Sequence, residues 1–162
     1  MQLDRASYEQ HCYWMQYALK LAEEAGKAGE IPVGAVLIDA EGRVRGEGNN
    51  RKERDRDPTA HAEIIAIRAA AKQKSDWHLD DLTLYVTLEP CPMCSGAMIQ
   101  GRVGTLVYGA DDPKTGAIRS VLNLPDSPAS NHRLTVIPGI LNDVCREQLQ
   151  NWFAQNLRNY WT

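Results

Sequence analysis

Two short motifs contain the side chains best suited to chemistry in this sequence. The first is His61-Ala62-Glu63, and the second begins with Cys91, 28 positions after Glu63, and ends with Cys94. An imidazole and two thiolates are ligands that zinc prefers, and a catalytic zinc ion takes three protein ligands and leaves its fourth position for water. The sequence therefore predicts a zinc ion bound by His61, Cys91 and Cys94, with Glu63 standing beside it as a proton carrier.

Each motif is predicted to open a helix. Residues 60–71 are rich in strong helix formers, so the first motif is expected in the first turn of that helix. The two cysteines are three positions apart, a spacing that brings side chains together at the start of a second helix, predicted over residues 92–100. The positive ends of two helix dipoles would then face the metal and stabilise the thiolates.

Each motif alone has another interpretation. A Cys-x-x-Cys pair also occurs in redox sites and in structural zinc sites. A structural zinc site would need a fourth ligand. The other histidines and cysteines of the chain do not have a paired spacing with the two motifs. They are His11, Cys12, His78, His132 and Cys145. A redox pair would have no use for His61 and Glu63, so the combination favours a catalytic metal.

Length and composition permit an enzyme of this kind. The chain has 162 residues, which predicts one domain over residues 1–162 with a single core. The first residues lack the apolar stretch of a secretory signal, and no apolar run approaches the ~20 residues that span a bilayer. Four cysteines, two of them in the second motif, do not make a disulfide framework and suit a reducing compartment. We expect a cytoplasmic protein.

Hydrophobic patterns predict an α/β fold. Apolar residues at helical spacing predict a first helix over residues 8–28, and Asn142 is a suitable N-cap for a last one. Strands are predicted over residues 32–39, 43–48, 82–88, 105–109 and 134–137. A hairpin followed by strand-helix alternation indicates a three-layer arrangement, a mixed sheet of about five strands with helices on both faces. A short helix is also expected around residues 118–122.

Six segments of the chain resemble one family of enzymes. They are residues 31–36, 48–51, 57–63, 84–91, 114–116 and 131–133. From about Tyr13 to Phe153 the chain resembles the bacterial tRNA-specific adenosine deaminases of the cytidine deaminase superfamily. The resemblance implies a cytidine deaminase-like fold, one zinc ion per subunit, a homodimer and the tRNA anticodon arm as partner. The implied reaction is hydrolysis of the wobble adenosine to inosine, with release of ammonia.

The same resemblance implies roles for residues outside the two motifs. Asn50 would contact the flipped adenine, and the Trp152-Phe153 pair would pack against nucleotides that flank the target. Arg158 resembles a basic residue of the family's RNA-binding tail. The implied substrate contacts are, in chain order, Asn50, Asp112, Lys114, Asn131, Phe153 and Arg158.

Charge gives no independent support for an RNA partner. The net charge is -3, whereas a typical nucleic-acid binder is basic. Basic residues at positions 51, 52, 54 and 56 are nearly cancelled by acidic residues at 53, 55 and 57, so this loop either contacts RNA or is an ordinary solvated loop. Two other functions stay open: a deaminase of free bases or nucleosides, and a zinc-stabilised RNA-binding module without chemistry.

Overall fold

The computed structural model describes the backbone of residues 2–160 and the side chains of residues 2–156. Its elements are, in chain order, α1 (Arg5–Lys27), β1 (Gly34–Ile38), β2 (Val44–Asn49), α2 (Ala62–Lys74), β3 (Thr83–Leu88), α3 (Pro92–Gln100), β4 (Thr105–Ala110), β5 (Thr135–Ile137) and α4 (Asn142–Tyr160). The predicted strands and long helices are all present. None of the described helices combines the length and apolar character that crossing a bilayer demands.

The five strands form one mixed sheet in the order β2-β1-β3-β4-β5. β1 pairs antiparallel with both β2 and β3, while β3, β4 and β5 run parallel to one another. Parallel neighbours need a crossover connection, and α3 makes the crossover between β3 and β4. The predicted mixed sheet with a leading hairpin is therefore confirmed.

Side chains that alternate along the strands divide the core into two layers. On β1, Ala35 and Leu37 pack with α2 and α3, whereas Val36 and Ile38 pack with α1 and α4. Because successive strand residues point to opposite faces, a strand covered on both sides must be apolar throughout, and every residue of β1 is buried. Helices on both faces give the predicted three-layer arrangement.

Glycines let α2 approach β2 closely. A Cβ atom at Gly46 would lie 2.3 Å from the Ala66 carbonyl oxygen, and one at Gly48 would lie 2.6 Å from the Ala62 carbonyl oxygen. A larger residue at either position would force the helix away from the sheet. These contacts fix the start of α2, which holds the first motif.

The expected short helix around residues 118–122 is wrong. Residues 117–120 form turns, and the backbone N–H groups of Val121 and Leu122 both donate to the Gly116 carbonyl instead of continuing a helix. The N–H groups of residues 118–120 donate to the buried carboxylate of Glu89. The Glu89 carboxylate therefore holds this segment in turns, and the apolar pattern of the segment could not reveal that contact.

Candidate metal centre and active site

The starts of two helices bring the three candidate metal ligands together. His61 is the N-cap residue of α2, and Cys91 is the N-cap residue of α3, with Cys94 in the first turn of α3. His61 has extended backbone geometry, so it stands one residue before the first helical turn in which we expected it. Glu63 does lie in the first turn of α2.

The spacing of the three donor atoms fits a tetrahedral zinc ion. His61 Nδ1 lies 3.6 Å from Cys91 Sγ and 3.6 Å from Cys94 Sγ. Zinc bonds of about 2.3 Å to sulfur and about 2.0–2.1 Å to nitrogen, set at a tetrahedral angle, place nitrogen and sulfur about 3.6 Å apart. Across the side chains of residues 2–156, this group contains no fourth histidine, cysteine or acidic ligand. The donor set therefore fits a zinc ion with an open coordination position.

Hydrogen bonding within the group differentiates its two thiols. Donation from Cys94, together with the neighbouring His61, lowers the pKa of Cys91 to about 4 against the opposing effect of burial. The same Cys91 contact and burial raise the pKa of Cys94 well above its ordinary value. Cys91 is thus the thiol with the stronger tendency to be a thiolate, the form that binds metals.

Glu63 is a buried carboxyl group next to the metal group. Its side chain is only 4% exposed, and desolvation raises its pKa. It contacts Cys94 without belonging to the three-donor group. A carboxyl group in this environment can hold a proton close to reacting atoms without blocking the open metal position.

A cavity of about 360 Å³ opens onto these residues. Small-molecule sites typically have volumes of roughly 300–1,000 Å³, so a nucleobase fits in it. The residues that line it are Ile31, Val33, Asn50, Lys52, His61, Ala62, Glu63, Leu88, Glu89, Cys91, Asp112 and Thr115. Of the expected substrate contacts, Asn50 and Asp112 thus line the same cavity as the candidate metal ligands.

Asn50 is held rigidly at the cavity wall. Its side-chain amide donates to the Ile31 carbonyl at 3.2 Å, and its side-chain oxygen accepts from the Lys52 backbone N–H at 3.2 Å. A side-chain amide has two hydrogens and two oxygen lone pairs, so one donor and one acceptor site stay available to a ligand. Asn50 can therefore recognise a group that both donates and accepts.

Asp112 organises another segment that lines the cavity. Its carboxylate accepts from the backbone N–H groups of Lys114 and Thr115 at 2.9 and 3.2 Å, and from the Thr115 hydroxyl at 2.8 Å. Thr115 lines the cavity, whereas Lys114 is exposed and is not among the lining residues. The acidic side chain is thus engaged mainly in shaping its own loop.

Three other expected contacts lie away from the cavity wall. Asn131 lines a separate groove of about 320 Å³ formed by residues 125–133. Phe153 is half-buried on α4 with its ring edge-to-face on Trp152, at a centroid distance of 5.3 Å. Trp152 is 9% exposed and donates from Nε1 to the Gly26 carbonyl, so it packs against α1. The Arg158 side chain lies outside the described residues.

Ion pairs compensate two of the arginines in the loop of residues 51–57. Arg51 pairs with Asp55 at 2.9 Å, and Arg54 pairs with the buried Glu30 at 3.5 Å. Lys52 lines the cavity and, within the described side chains, has no ion pair. The loop therefore presents one uncompensated cation to the cavity, which counting charges along the sequence did not show.

Sequence reasoning also missed Glu89. This residue is 1% exposed, lines the cavity and accepts hydrogen bonds from four backbone N–H groups and one hydroxyl. Burial alone would raise the pKa of Glu89, but the hydrogen bonds from Ser120 and Arg119 hold it below its ordinary value. The available signal was its position, since a charged residue between a buried strand and Cys91 must find partners inside the protein.

Comparison with known proteins gives consistent relatives. The family model for MafB19-like deaminases matches residues 9–155. A tRNA-specific adenosine deaminase of Haemophilus influenzae is 50% identical over 141 residues, which cover 87% of this chain and 82% of that protein. The tRNA-specific adenosine deaminase of Bacillus subtilis is 40% identical over 142 residues, 88% of each chain.

Solved structures show the same similarity in three dimensions. One, from studies of A-to-I editing by tRNA:A34 deaminases at the wobble position, matches with a TM-score of 0.81 at 40% identity, covering 84% of this chain and 98% of that one. Guanine deaminase from Nitrosomonas europaea matches with a TM-score of 0.74 at 28% identity, covering 86% of this chain and 82% of that one.

Proposed function

This chain belongs to the tRNA-specific adenosine deaminase family, and from that premise we propose that it is a single zinc-dependent hydrolase domain acting on tRNA. It converts the wobble adenosine of an anticodon to inosine and releases ammonia. The observation that supports this most directly is the juxtaposition of a three-donor metal group with a buried carboxyl group at one base-sized cavity.

His61, Cys91 and Cys94 would hold the zinc ion, one in each subunit. A zinc ion bound there would supply Lewis-acid activation of a water molecule for attack on C6 of the adenine. The cavity wall beside the ligands is apolar at Ile31 and Leu88, which limits the number of competing water molecules around the base.

Glu63 would move the protons of the reaction. Water adds to C6 and ammonia leaves, so one proton of that water ends on ring nitrogen N1 and the other on the departing amine. A single carboxyl group that accepts each proton and passes it on can serve both transfers. Glu63, buried at the cavity beside Cys94, is positioned for both.

The remaining contacts would orient the RNA. Asn50 would bind the flipped base through its available amide donor and acceptor, and Lys52 would neutralise a phosphate near it. Asp112, Lys114 and Asn131 would line the path of the flanking nucleotides, with Phe153 and Arg158 completing it from α4. Lys114 and Asn131 are both exposed, as this role requires.

The protein is also proposed to act as a cytoplasmic homodimer. Large apolar side chains that are about half exposed support an interface: Trp77 is 56%, Val121 is 52% and Leu122 is 46% exposed. Sedimentation equilibrium of the zinc-loaded protein should give a mass of about twice 18.1 kDa. A mass of one chain at micromolar concentration would contradict the dimer.

A second candidate is deamination of a free purine base, because a guanine deaminase shares the fold at a TM-score of 0.74. The test offers the zinc-loaded protein an anticodon stem-loop with a wobble adenosine, alongside guanine, adenosine and cytidine, with mass spectrometry of the products. We expect inosine in the stem-loop and no turnover of the free compounds. Turnover of a free base alone would overturn the tRNA substrate, and no turnover of any compound would overturn the enzyme.

A further inference from the structure

Glu89 connects the junction of β3 and α3, which contains Cys91, to the segment of residues 111–121. It follows β3 and precedes Cys91 by two residues, so its backbone is tied to a metal ligand. Its side chain points to the segment of residues 111–121, which contains no regular secondary structure. The conformation of such a segment depends on the groups that satisfy its backbone.

The carboxylate of Glu89 satisfies much of that backbone. Oε1 accepts from the N–H groups of Ile118, Arg119 and Ser120 at 3.2, 2.8 and 2.9 Å. Oε2 accepts from the Asp112 N–H at 3.0 Å and from the Ser120 hydroxyl. Successive amides that converge on an anion form a backbone nest, here filled by the protein's own side chain.

The fit around this carboxylate leaves no room for another residue at position 116. A Cβ atom at Gly116 would lie 2.4 Å from Glu89 Oε2, and the Ala117 N–H donates to the Pro90 carbonyl at 2.9 Å. The segment therefore wraps around the connection between β3 and α3. Asp112 and Thr115, which line the cavity, lie at the start of this wrapped segment.

We propose that Glu89 is a positioning residue of the active site, whose carboxylate sets the place of Asp112 and Thr115 relative to the metal ligands. This inference rests on the proposed function for its substrate. It predicts that loss of the Glu89 carboxylate acts on substrate binding through Asp112. A residue with a merely structural role would lower the folded fraction and act independently of Asp112.

The chain offers a matched control in Glu30. This residue is also 1% exposed and accepts from backbone N–H groups, those of Glu53 and Arg54 at 3.2 and 2.7 Å. It holds the loop that contains Lys52, which also lines the cavity. Glu30→Gln therefore removes an equally buried carboxylate without touching the segment of Asp112.

The experiment is a double-mutant cycle on the zinc-loaded protein with the anticodon stem-loop as substrate. Glu89→Gln should raise KM by about tenfold, an effect of the size measured when residues of one hydrogen-bond network are uncoupled. The variant should retain one zinc ion per chain. Asp112→Ala should add little to KM in the Glu89→Gln background, whereas the effects of Glu30→Gln and Asp112→Ala should multiply. Independent effects of Glu89→Gln and Asp112→Ala would overturn the proposal, as would an unchanged KM.

Two further measurements keep the test decisive. If Glu89→Gln does not fold, Ser120→Ala removes only the hydroxyl bond, and its smaller rise in KM should show the same dependence on Asp112. Hydrogen exchange should show faster exchange of the amides of residues 112 and 118–120 in the variant, with α3 unchanged; unchanged exchange there would contradict the inference. If the parent protein fails to act on the stem-loop, the proposed function fails, whereas the exchange result still tests Glu89.

Discussion

At the residue scale, the number of hydrogen-bond donors separates the roles of two similarly buried side chains. Glu63 and Glu89 are both almost fully buried carboxyl groups at one cavity. Glu89 is saturated with backbone donors, whereas burial dominates the environment of Glu63 and raises its pKa. A saturated carboxylate stabilises a loop, while a carboxyl group with few donors can exchange a proton with a substrate.

Glu63→Ala should remove turnover and leave the metal. The three donors do not include Glu63, so zinc content should stay at one ion per chain. Loss of a general acid and base lowers rates by about 10²–10⁴-fold, and kcat for inosine formation should fall by at least that much. Zinc content and kcat are measured on the same preparation. Loss of zinc in the variant would show that Glu63 acts as a ligand instead.

Lys52→Ala should weaken RNA binding without slowing chemistry. Lys52 is the cation at the cavity whose charge is not compensated by an ion pair within residues 2–156. Loss of one phosphate contact should raise KM and reduce the slope of log K against log salt by about one. Lys20→Ala, an exposed lysine on α1 that does not line the cavity, is the control. Equal salt slopes for the parent and both variants would rule out the phosphate contact.

At the element scale, the site depends on where two helices begin. α2 packs on β2 through glycines, and α3 begins directly after β3, so His61 and Cys91 are N-cap residues of neighbouring helices. The sheet fixes both starting points because β1 pairs with β2 on one side and β3 on the other. The spacing of the three candidate donor atoms is therefore a consequence of how the two helices pack on the sheet.

Gly48→Ala should damage the metal site indirectly. Its Cβ atom would lie 2.6 Å from the Ala62 carbonyl oxygen and 2.8 Å from Ile65 Cβ, so α2 must shift. Overpacking of this kind typically costs about 1–3 kcal/mol, and zinc affinity should fall because His61 moves with the helix. Chemical denaturation and a competitive zinc titration measure the two effects.

Gly96→Ala is the control for that substitution. Gly96 lies inside α3, and its Cβ atom would meet no atom within 4 Å. Alanine favours a helix interior over glycine by about 0.8–1.0 kcal/mol, so this variant should be as stable as the parent or more stable. If Gly48→Ala were equally well tolerated, close packing of α2 would not control the metal site.

At the scale of the whole molecule, a zinc ion at the candidate site would connect parts that are distant in sequence. The three candidate ligands lie at the starts of α2 and α3. These helices lie on the same face of the sheet and share one core layer with β1, β3 and β4. A ligand bound to the folded chain alone stabilises that chain by mass action. The net charge of -3 makes local cation placement decisive for RNA.

Zinc removal should lower the thermal stability and abolish activity together. At a free zinc concentration about 100-fold above Kd the metal contributes about 2.7 kcal/mol, which for a chain of this size corresponds to a Tm change of about 5–10 °C. Differential scanning calorimetry before and after chelation measures the shift, and added zinc should restore Tm and inosine formation. Activity that survives complete chelation would contradict the zinc-dependent mechanism.

The amino-acid sequence by itself determined the candidate metal donors and the elements around them. His61, Cys91 and Cys94 could be identified because zinc chemistry restricts both the residue types and their spacing. The strands and long helices followed from periodicity, since an apolar run or stripe must face a core. The sequence placed His61 inside the first turn of α2, whereas the structure makes it the N-cap residue just before that turn. Helix ends are hard to predict because they depend on local caps more than on composition.

Only the tertiary structure decided which polar side chains meet at the cavity. Asp112 lies about 60 residues along the chain from Asn50 and Lys52, yet all three line one cavity. Among the described side chains, Arg51 and Arg54 pair with acids, whereas Lys52 lines the cavity without an ion pair. The turns at residues 117–120 follow from Glu89, whose carboxylate reaches them from about 30 residues away. Hydrogen bonds and ion pairs depend on distance in space, and local sequence patterns contain only distance along the chain.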